Sequence, residues 1–167
     1  MRRTDFSDMA CSIAKTLEIV GEWWTPLILR DLVLGLSQFD EIQTDLGISS
    51  NVLSDRLKGL IDHGVIERRP YGSHPDRHEY LLTPKGRDAI PILLALLAWG
   101  DKWEAGRPGP PTQVVHLTCG RATAAVAHCS ECGEKLETED LAYHKGPGSR
   151  RGRGTELIRD YLAPAVG

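Results

Sequence analysis

Four residues in the last third of the chain have the types and spacing of a metal site. They form two pairs, each with a two-residue gap and each followed by a glycine that permits a tight turn. Such a gap lets two soft ligands reach one tetrahedral Zn²⁺, and three thiolates with one imidazole would close a structural site. The predicted ligands are His116, Cys119, Cys129 and Cys132, with His128 and His144 as rivals for the fourth position.

The same residues also allow a metal-free interpretation. A cysteine pair at this spacing can be redox-active, and the thiols could instead be buried in a loop. The fourth cysteine, Cys11, stands alone near the start of a predicted helix, with Lys15 one turn further on. A cation or a helix N-terminus stabilises a thiolate, so Cys11 is a candidate reactive thiol. The alternative is a buried packing cysteine.

A third group of residues could contact DNA. Asn51 can pair with an adenine edge, Ser54 can hydrogen-bond several bases, and the arginines can lie on phosphates. For Arg56, a phosphate contact and an internal salt bridge with Asp31 or Asp55 both remain open. The predicted DNA contacts are Ser49, Ser50, Asn51, Ser54, Arg56, Lys58, Arg68, Arg69, His74 and Arg77.

The elements that must position these DNA contacts lie between residues 37 and 83. Phe39, Ile42 and Leu46 have helical spacing, and Gly47 ends that predicted helix. A second helix is predicted over 50–63, followed by strands over 65–70 and 77–82 with a turn-rich loop between them. The pattern predicts a helix-turn-helix followed by a basic two-stranded wing.

Further helices are predicted on both sides of this unit. Residues 11–20 and 24–34 have apolar residues at helical spacing, and a long apolar helix is predicted from Thr83 to about Glu104, with Pro91 bending it or delaying its start. The long helix carries more apolar surface than a small head can cover, which indicates a partner surface. The alternative is that it folds back on its own head.

The composition allows one solid core and a small appendage, and the predicted helices and strands together indicate an α+β protein. The chain has 167 residues, 41% of them hydrophobic, and a net charge of −3, so DNA binding requires a local basic patch. No signal peptide or membrane span is recognised, and we expect a cytoplasmic protein. The predicted units are a DNA-binding and dimerisation domain (1–106), a linker (107–113), a zinc-ribbon-like module (114–145), and a flexible basic tail with a short helix (146–167).

The ordered set of motifs resembles the HxlR-type winged helix-turn-helix regulators of the MarR/ArsR-like superfamily. The residues that carry the resemblance are Cys11 and the segments 19–32, 39–42, 48–49, 53–57, 64–68, 79–86 and 99–100. The resemblance implies a homodimeric bacterial regulator, a repressor that binds a palindromic operator and pairs its long helix with the N-terminal helix of a second copy. It also implies a redox-sensing or electrophile-sensing role for Cys11, or a small effector, although Ser12 stands where a proline is common.

Two other function classes are weighed against a DNA-binding regulator. A winged helix with a zinc ribbon could act as a protein-interaction module without sequence-specific DNA binding. An enzyme would need a nucleophile–base pair, a phosphate-binding glycine loop or an open metal site, and the sequence indicates none of these. We therefore expect a protein that is not an enzyme.

Overall fold

The structure is a computed structural model that describes residues 5–72 and 77–165. It confirms an α+β fold in which helices flank a two-stranded wing, followed by a small second hairpin. The helices are α1 (Ser12–Val20), α2 (Trp24–Leu34), α3 (Phe39–Leu46), α4 (Ser50–Asp62), α5 (Pro84–Arg87), α6 (Ile90–Trp103) and α7 (Ile158–Tyr161). The strands are β1 (Ile66–Pro70), β2 (His78–Leu82), β3 (Val114–His116) and β4 (Arg121–Thr123).

The hydrophobic core lies where α2, α3, α4 and the start of β1 meet. Each helix contributes an apolar stripe at helical spacing, which turns inward because burial removes that surface from water. Removing one of these side chains, as in Leu53→Ala, costs about 2–5 kcal/mol through lost burial and the cavity left behind. The core residues are Ile28, Leu29, Ile42, Ile48, Leu53, Leu57, Leu60, Val65 and Ile66.

The turn between α3 and α4 sets the direction of α4. Gly47 ends α3 with a φ of 61°, a left-handed conformation that glycine adopts without a steric cost. Ser49 then caps α4, because its hydroxyl accepts a hydrogen bond from the N–H of Val52 at 3.4 Å. The start of α3 is held by Glu41, whose carboxylate accepts the backbone N–H of Gln38 at 3.0 Å.

The wing, formed by β1 and β2, is attached to the helical core at both ends. The backbone N–H of Tyr80 donates to the carbonyl of Ser37 at 2.8 Å, so β2 also pairs with the segment that enters α3. At the end of β2, the hydroxyl of Thr83 donates to the carbonyl of Gly64 at 2.7 Å and accepts a hydrogen bond from the N–H of Gly86. These contacts fix the wing beside α4.

The long helix predicted after the wing is divided in two. The single turn of α5 is followed by α6, which begins at Ile90 with Pro91 in its first turn. Proline delays the helix start because its ring cannot follow a preceding helical turn. No residue of α6 is fully buried in the single chain.

The two faces of α6 have different surroundings. Leu94, Leu97 and Ala98 face a small cavity of about 190 Å³ whose other wall includes Val114 of β3 and Thr123 of β4. The β3–β4 hairpin therefore lies against one side of α6. The opposite stripe remains exposed: Ile92, Leu96, Trp99 and Trp103 recur at spacings of four, three and four residues and are 40–61% exposed.

Most residues from 114 to 145 are exposed, so this part of the chain has little hydrophobic core. The following C-terminal segment, residues 146–165, contains α7 and reaches back to the N-terminal arm. Arg153 donates to the carbonyl of Asp5 at 2.6 Å and contacts the carboxylate of Asp8 at 3.2 Å, while Thr155 is only 6% exposed. No helix in the described residues is long and apolar enough to cross a membrane.

Candidate nucleic-acid interface

The exposed edge of α4 carries the predicted base-contacting residues. Leu53 and Leu57 are at most 2% exposed and hold one side of the helix against the core. Ser50, Asn51 and Ser54 lie on the other side and are exposed. Amide and hydroxyl groups in this position can donate to and accept from base edges in a major groove.

The predicted contacts at 49 and 58 have different roles in the free protein. Ser49 is exposed, but its hydroxyl is already used as the N-cap of α4. Lys58 is exposed two turns further along the helix and is available for a phosphate. The helix is also held at its C-terminal end, because the ammonium of Lys85 donates to the carbonyl of His63 at 2.7 Å.

Arg56 forms an internal salt bridge with a carboxylate other than the two that the sequence predicted. Its guanidinium forms a salt bridge with Glu22 at 3.1 Å, and not with Asp31 or Asp55. The side chain of Arg56 is 27% exposed, and its Nε is buried without a hydrogen-bond partner among the described residues. The predicted internal partners, Asp31 and Asp55, are therefore corrected to Glu22, and the pair ties α4 to the α1–α2 connection.

A buried carboxylate lies in α2, and the sequence analysis assigned it no role of its own. Asp31 is 1% exposed, and its Oδ1 accepts from Arg30 Nε at 2.9 Å and Arg30 Nη2 at 2.6 Å. Burial raises the pKa of Asp31 above its ordinary value of 3.8, against the lowering effect of Arg30. Arg30 also pairs with Asp45 at 2.7 Å, so this cluster joins α2 to α3.

The wing presents its two adjacent arginines on opposite faces. Successive side chains of a strand alternate, so Arg68 shares a face with His78, and its Nη2 lies 2.9 Å from His78 Nδ1. Arg69 lies on the other face, where it forms an ion pair with Glu67 and is opposite Glu79 in the strand register. The two arginines therefore extend from opposite sides of the wing.

The other predicted wing contacts lie at the end of the hairpin. Arg77 is exposed immediately before β2. His74 falls outside the described residues. Arg68 and Arg77 are thus the wing cations without a carboxylate partner among the residues that the structure describes.

The predicted metal ligands lie in two separate turns. Cys119 Sγ is 3.5 Å from His116 Nδ1 at the turn of the β3–β4 hairpin. Hydrogen bonds from the backbone of Cys132 and of Glu131, and from the Cys132 side chain, lower the pKa of Cys129. Nowhere in 5–72 or 77–165 do three or more His, Cys, Asp or Glu side chains form a group that could hold a metal ion. The four ligands are therefore not gathered in one place.

The rival fourth ligands are engaged elsewhere. His128 Nδ1 is 3.0 Å from the carbonyl of Gly133, and His144 Nδ1 is 2.6 Å from the carbonyl of Pro164. Cys11 lies at the N-cap position of α1, is half-buried and makes no capping bond with its side chain. It faces a groove whose opposite wall is the C-terminal segment, a contact that the sequence did not reveal.

Comparisons with known proteins agree with this geometry. The HxlR-like helix-turn-helix family matches residues 19–107, which contain the core, α4, the wing and α6. The HTH-type transcriptional regulator Rv3095 of Mycobacterium tuberculosis is 40% identical over 137 residues, which are 82% of this chain and 87% of that relative. An alignment of this length cannot fit within residues 1–107, so the similarity includes part of the appendage.

Solved structures show the same fold. PA1607, described as a candidate transcription factor, superposes with a TM-score of 0.77 at 31% identity, covering 86% of this chain and 100% of its own. The redox regulator HypR in its reduced form superposes with a TM-score of 0.51 at 28% identity, covering 55% of this chain and 92% of its own. The chain belongs to the HxlR-like helix-turn-helix family and is a DNA-binding transcriptional regulator.

Proposed function

We propose that this regulator is a homodimeric repressor that binds a palindromic operator through α4. The observation that carries the proposal is the exposure of Asn51 and Ser54 on the edge of α4 opposite its buried stripe. Lys58, Arg68 and Arg77 flank that edge and would bind phosphates on either side of the groove. Occupying the operator is sufficient to block transcription and requires no further contact surface.

The exposed stripe of α6 supports the homodimer. Leu96, Trp99 and Trp103 are 55%, 60% and 61% exposed, and Ile13 and Leu17 of α1 are 72% and 46% exposed. A contiguous apolar stripe of this kind is costly to leave in water, and a second copy would cover it. A twofold dimer would also space two α4 helices about one DNA turn apart, as a palindromic operator requires.

The test of operator binding compares a base contact with a phosphate contact. Fluorescence anisotropy with DNA from upstream of its own gene should show binding that weakens as salt concentration rises. Asn51→Ala should lose about 1–3 kcal/mol of discrimination at one base pair. Lys58→Gln should weaken binding to every sequence alike and reduce the salt slope by about one unit. Binding that is independent of salt and sequence would instead support the protein-interaction module.

We also propose that the appendage holds a structural Zn²⁺ through His116, Cys119, Cys129 and Cys132. The proposal is supported by the donor set and by the scarcity of buried residues between 114 and 145, since a module this small usually needs a metal or a partner to order it. Binding would require these four side chains to be brought together, because no three His, Cys, Asp or Glu side chains form such a group in residues 5–72 and 77–165. We assign no enzymatic activity, since the family and the named relatives are regulators.

A redox response through Cys11 is a further part of the proposal. HypR, which shares this fold, is a redox regulator, and Cys11 is accessible at the start of α1. An electrophile should weaken operator binding by the wild type and leave Cys11→Ser unaffected. A full response in Cys11→Ser would assign sensing to another cysteine.

A further inference from the structure

A groove of about 680 Å³ separates the start of α1 from the C-terminal segment. Cys11 and Lys15 lie on its α1 side, and Arg150 and Arg159 lie on the opposite side. None of the described residues that line it is an aspartate or a glutamate. A volume of this size suits a small molecule, for which binding cavities are usually about 300–1,000 Å³.

The cations that line the groove lack carboxylate partners in the described part of the chain. Lys15 is exposed and makes no salt bridge there, and Arg150 donates only to the carbonyl of Asp8, at 3.2 Å. The Nε of Arg159 is buried without any hydrogen-bond partner among those residues. The field of three positive groups is therefore not cancelled within the groove.

The neighbouring arginines, which do not line the groove, have the opposite pattern. Arg151 pairs with Asp160 at 2.5 Å and with Glu156 at 3.8 Å, and Arg153 pairs with Asp8 at 3.2 Å. The arginines of this segment that face elsewhere are thus paired with carboxylates. The contrast indicates that the unpaired charge is concentrated on the groove.

The wall formed by the C-terminal segment is anchored by contacts within the chain. The hydroxyl of Thr155, which is buried, donates to the carbonyl of Arg150 at 2.9 Å. Gly154 has a φ of +75° and packs so closely on Met9 that a Cβ there would lie 2.7 Å from its Sδ. Ile158 and Leu162 add an apolar surface beside the cations.

We infer that this groove binds a small organic anion that has an apolar body and that contacts Cys11. A carboxylate or sulfonate would lie between Lys15, Arg150 and Arg159, while the apolar body would cover Ile158 and Leu162. Charge-assisted hydrogen bonds to arginine are about twice as strong as neutral ones and would orient the anionic group.

The first test measures how charge affects alkylation of Cys11. In this reaction the thiolate sulfur attacks the methylene carbon of the reagent, a C–S bond forms, the C–I bond breaks and iodide leaves; the thiol proton goes to solvent. Peptide mass mapping should give a ratio of iodoacetate to iodoacetamide rates about tenfold higher at Cys11 in the full chain than in a peptide of residues 6–16. An equal ratio would overturn the inference.

Matched variants test which cations are responsible. Lys15→Gln and Arg159→Gln should each lower the rate ratio, whereas Arg151→Gln removes one positive charge from the same segment and should leave it unchanged. Lys15 is exposed, so its replacement should not disturb folding, and circular dichroism would confirm this for all three variants. An equal decrease in Arg151→Gln and Arg159→Gln would show that only net charge matters and would overturn the site.

The second test measures reversible binding of a probe, naphthalene-2-sulfonate. Millimolar probe should protect Cys11 from neutral iodoacetamide in a saturable way, and Arg159→Gln should weaken that protection at least about fivefold. Absence of protection, or equal protection in Arg159→Gln, would each overturn the inference. Neither test depends on operator binding, so a failure of the proposed function would not be confused with a failure of this site.

Discussion

Arg56 of α4 and Glu22 of the α1–α2 connection form a salt bridge of 3.1 Å, with side chains that are 27% and 32% exposed. The pair joins the DNA-facing helix to the segment that follows α1. A residue predicted among the phosphate contacts is thus paired with a carboxylate of the same chain.

The salt bridge predicts a distinct behaviour for Arg56 variants. In a double-mutant cycle with Glu22→Gln and Arg56→Gln, we expect a coupling of about 0.5–1 kcal/mol in urea denaturation, because the pair is partly exposed. Arg56→Gln should also leave the salt slope of operator binding unchanged. A slope reduced by one unit would restore Arg56 as a phosphate contact.

The opposite orientations of the wing arginines predict unequal effects on DNA binding. Arg68→Gln should reduce the salt slope by about one unit, because its partner His78 is not a carboxylate. Arg69→Gln should change the slope less, because Glu67 already compensates the charge of Arg69. Anisotropy titrations over a range of salt concentrations provide the measurement, and equal slopes for the two variants would contradict the assignment.

The apolar stripe of α6 predicts that one charged substitution disrupts the dimer. Leu96→Asp places a carboxylate in the middle of the stripe, and we expect a monomer in analytical ultracentrifugation together with a large loss of operator affinity. Leu117→Asp is a matched control, since Leu117 is 91% exposed and lies in the β3–β4 turn. A dimeric Leu96→Asp protein would place the interface elsewhere.

The buried carboxylate of Asp31 predicts a specific pH dependence of stability. Burial raises the pKa of Asp31 in the folded chain above 3.8, so the folded chain holds this proton more tightly than the unfolded chain. The protonated carboxyl of Asp31 therefore contributes to the free energy of unfolding. That contribution is fully present below the pKa of Asp31 in the unfolded chain, and it is lost as pH rises through the pKa of Asp31 in the folded chain.

The variant Asp31→Asn cannot ionise and should therefore lack this loss. Relative to the wild type, its free energy of unfolding should increase as pH rises from below 3.8 to neutral. Urea denaturation at several pH values would measure the difference, with the exposed Asp40→Asn as a control for the change in net charge. A difference that does not vary with pH would contradict the prediction.

The proposed zinc site predicts metal-dependent order in the appendage. Purified protein should contain one Zn²⁺ per chain, and Cys129→Ser should contain much less, because a thiolate ligand is lost. Cys11→Ser should keep its zinc and is the matched cysteine control. Elemental analysis and protease resistance of residues 114–145 are the measurements, and zinc-free protein with an ordered appendage would exclude the site.

Sequence pattern alone predicted the helix-turn-helix, the wing and the bounds of α1 to α4 to within one or two residues, whereas the long helix predicted from Thr83 is divided into α5 and α6. These features depend on local physics: apolar residues at helical spacing, Gly47 in a left-handed turn, Ser49 as a cap, and Pro91 at the start of a helix. The exposed edge of α4 also follows from periodicity, because burial of one stripe exposes the opposite one.

Which charges are paired, and which surfaces contact each other, depends on the tertiary structure. The contacts of Arg56 with Glu22 and of Arg153 with Asp8 join residues far apart in the chain, and spacing carries no information about such partners. The same reason explains the groove beside Cys11, whose second wall comes from the other end of the protein. Long-range contacts depend on how the elements pack, and that packing is set by the whole core.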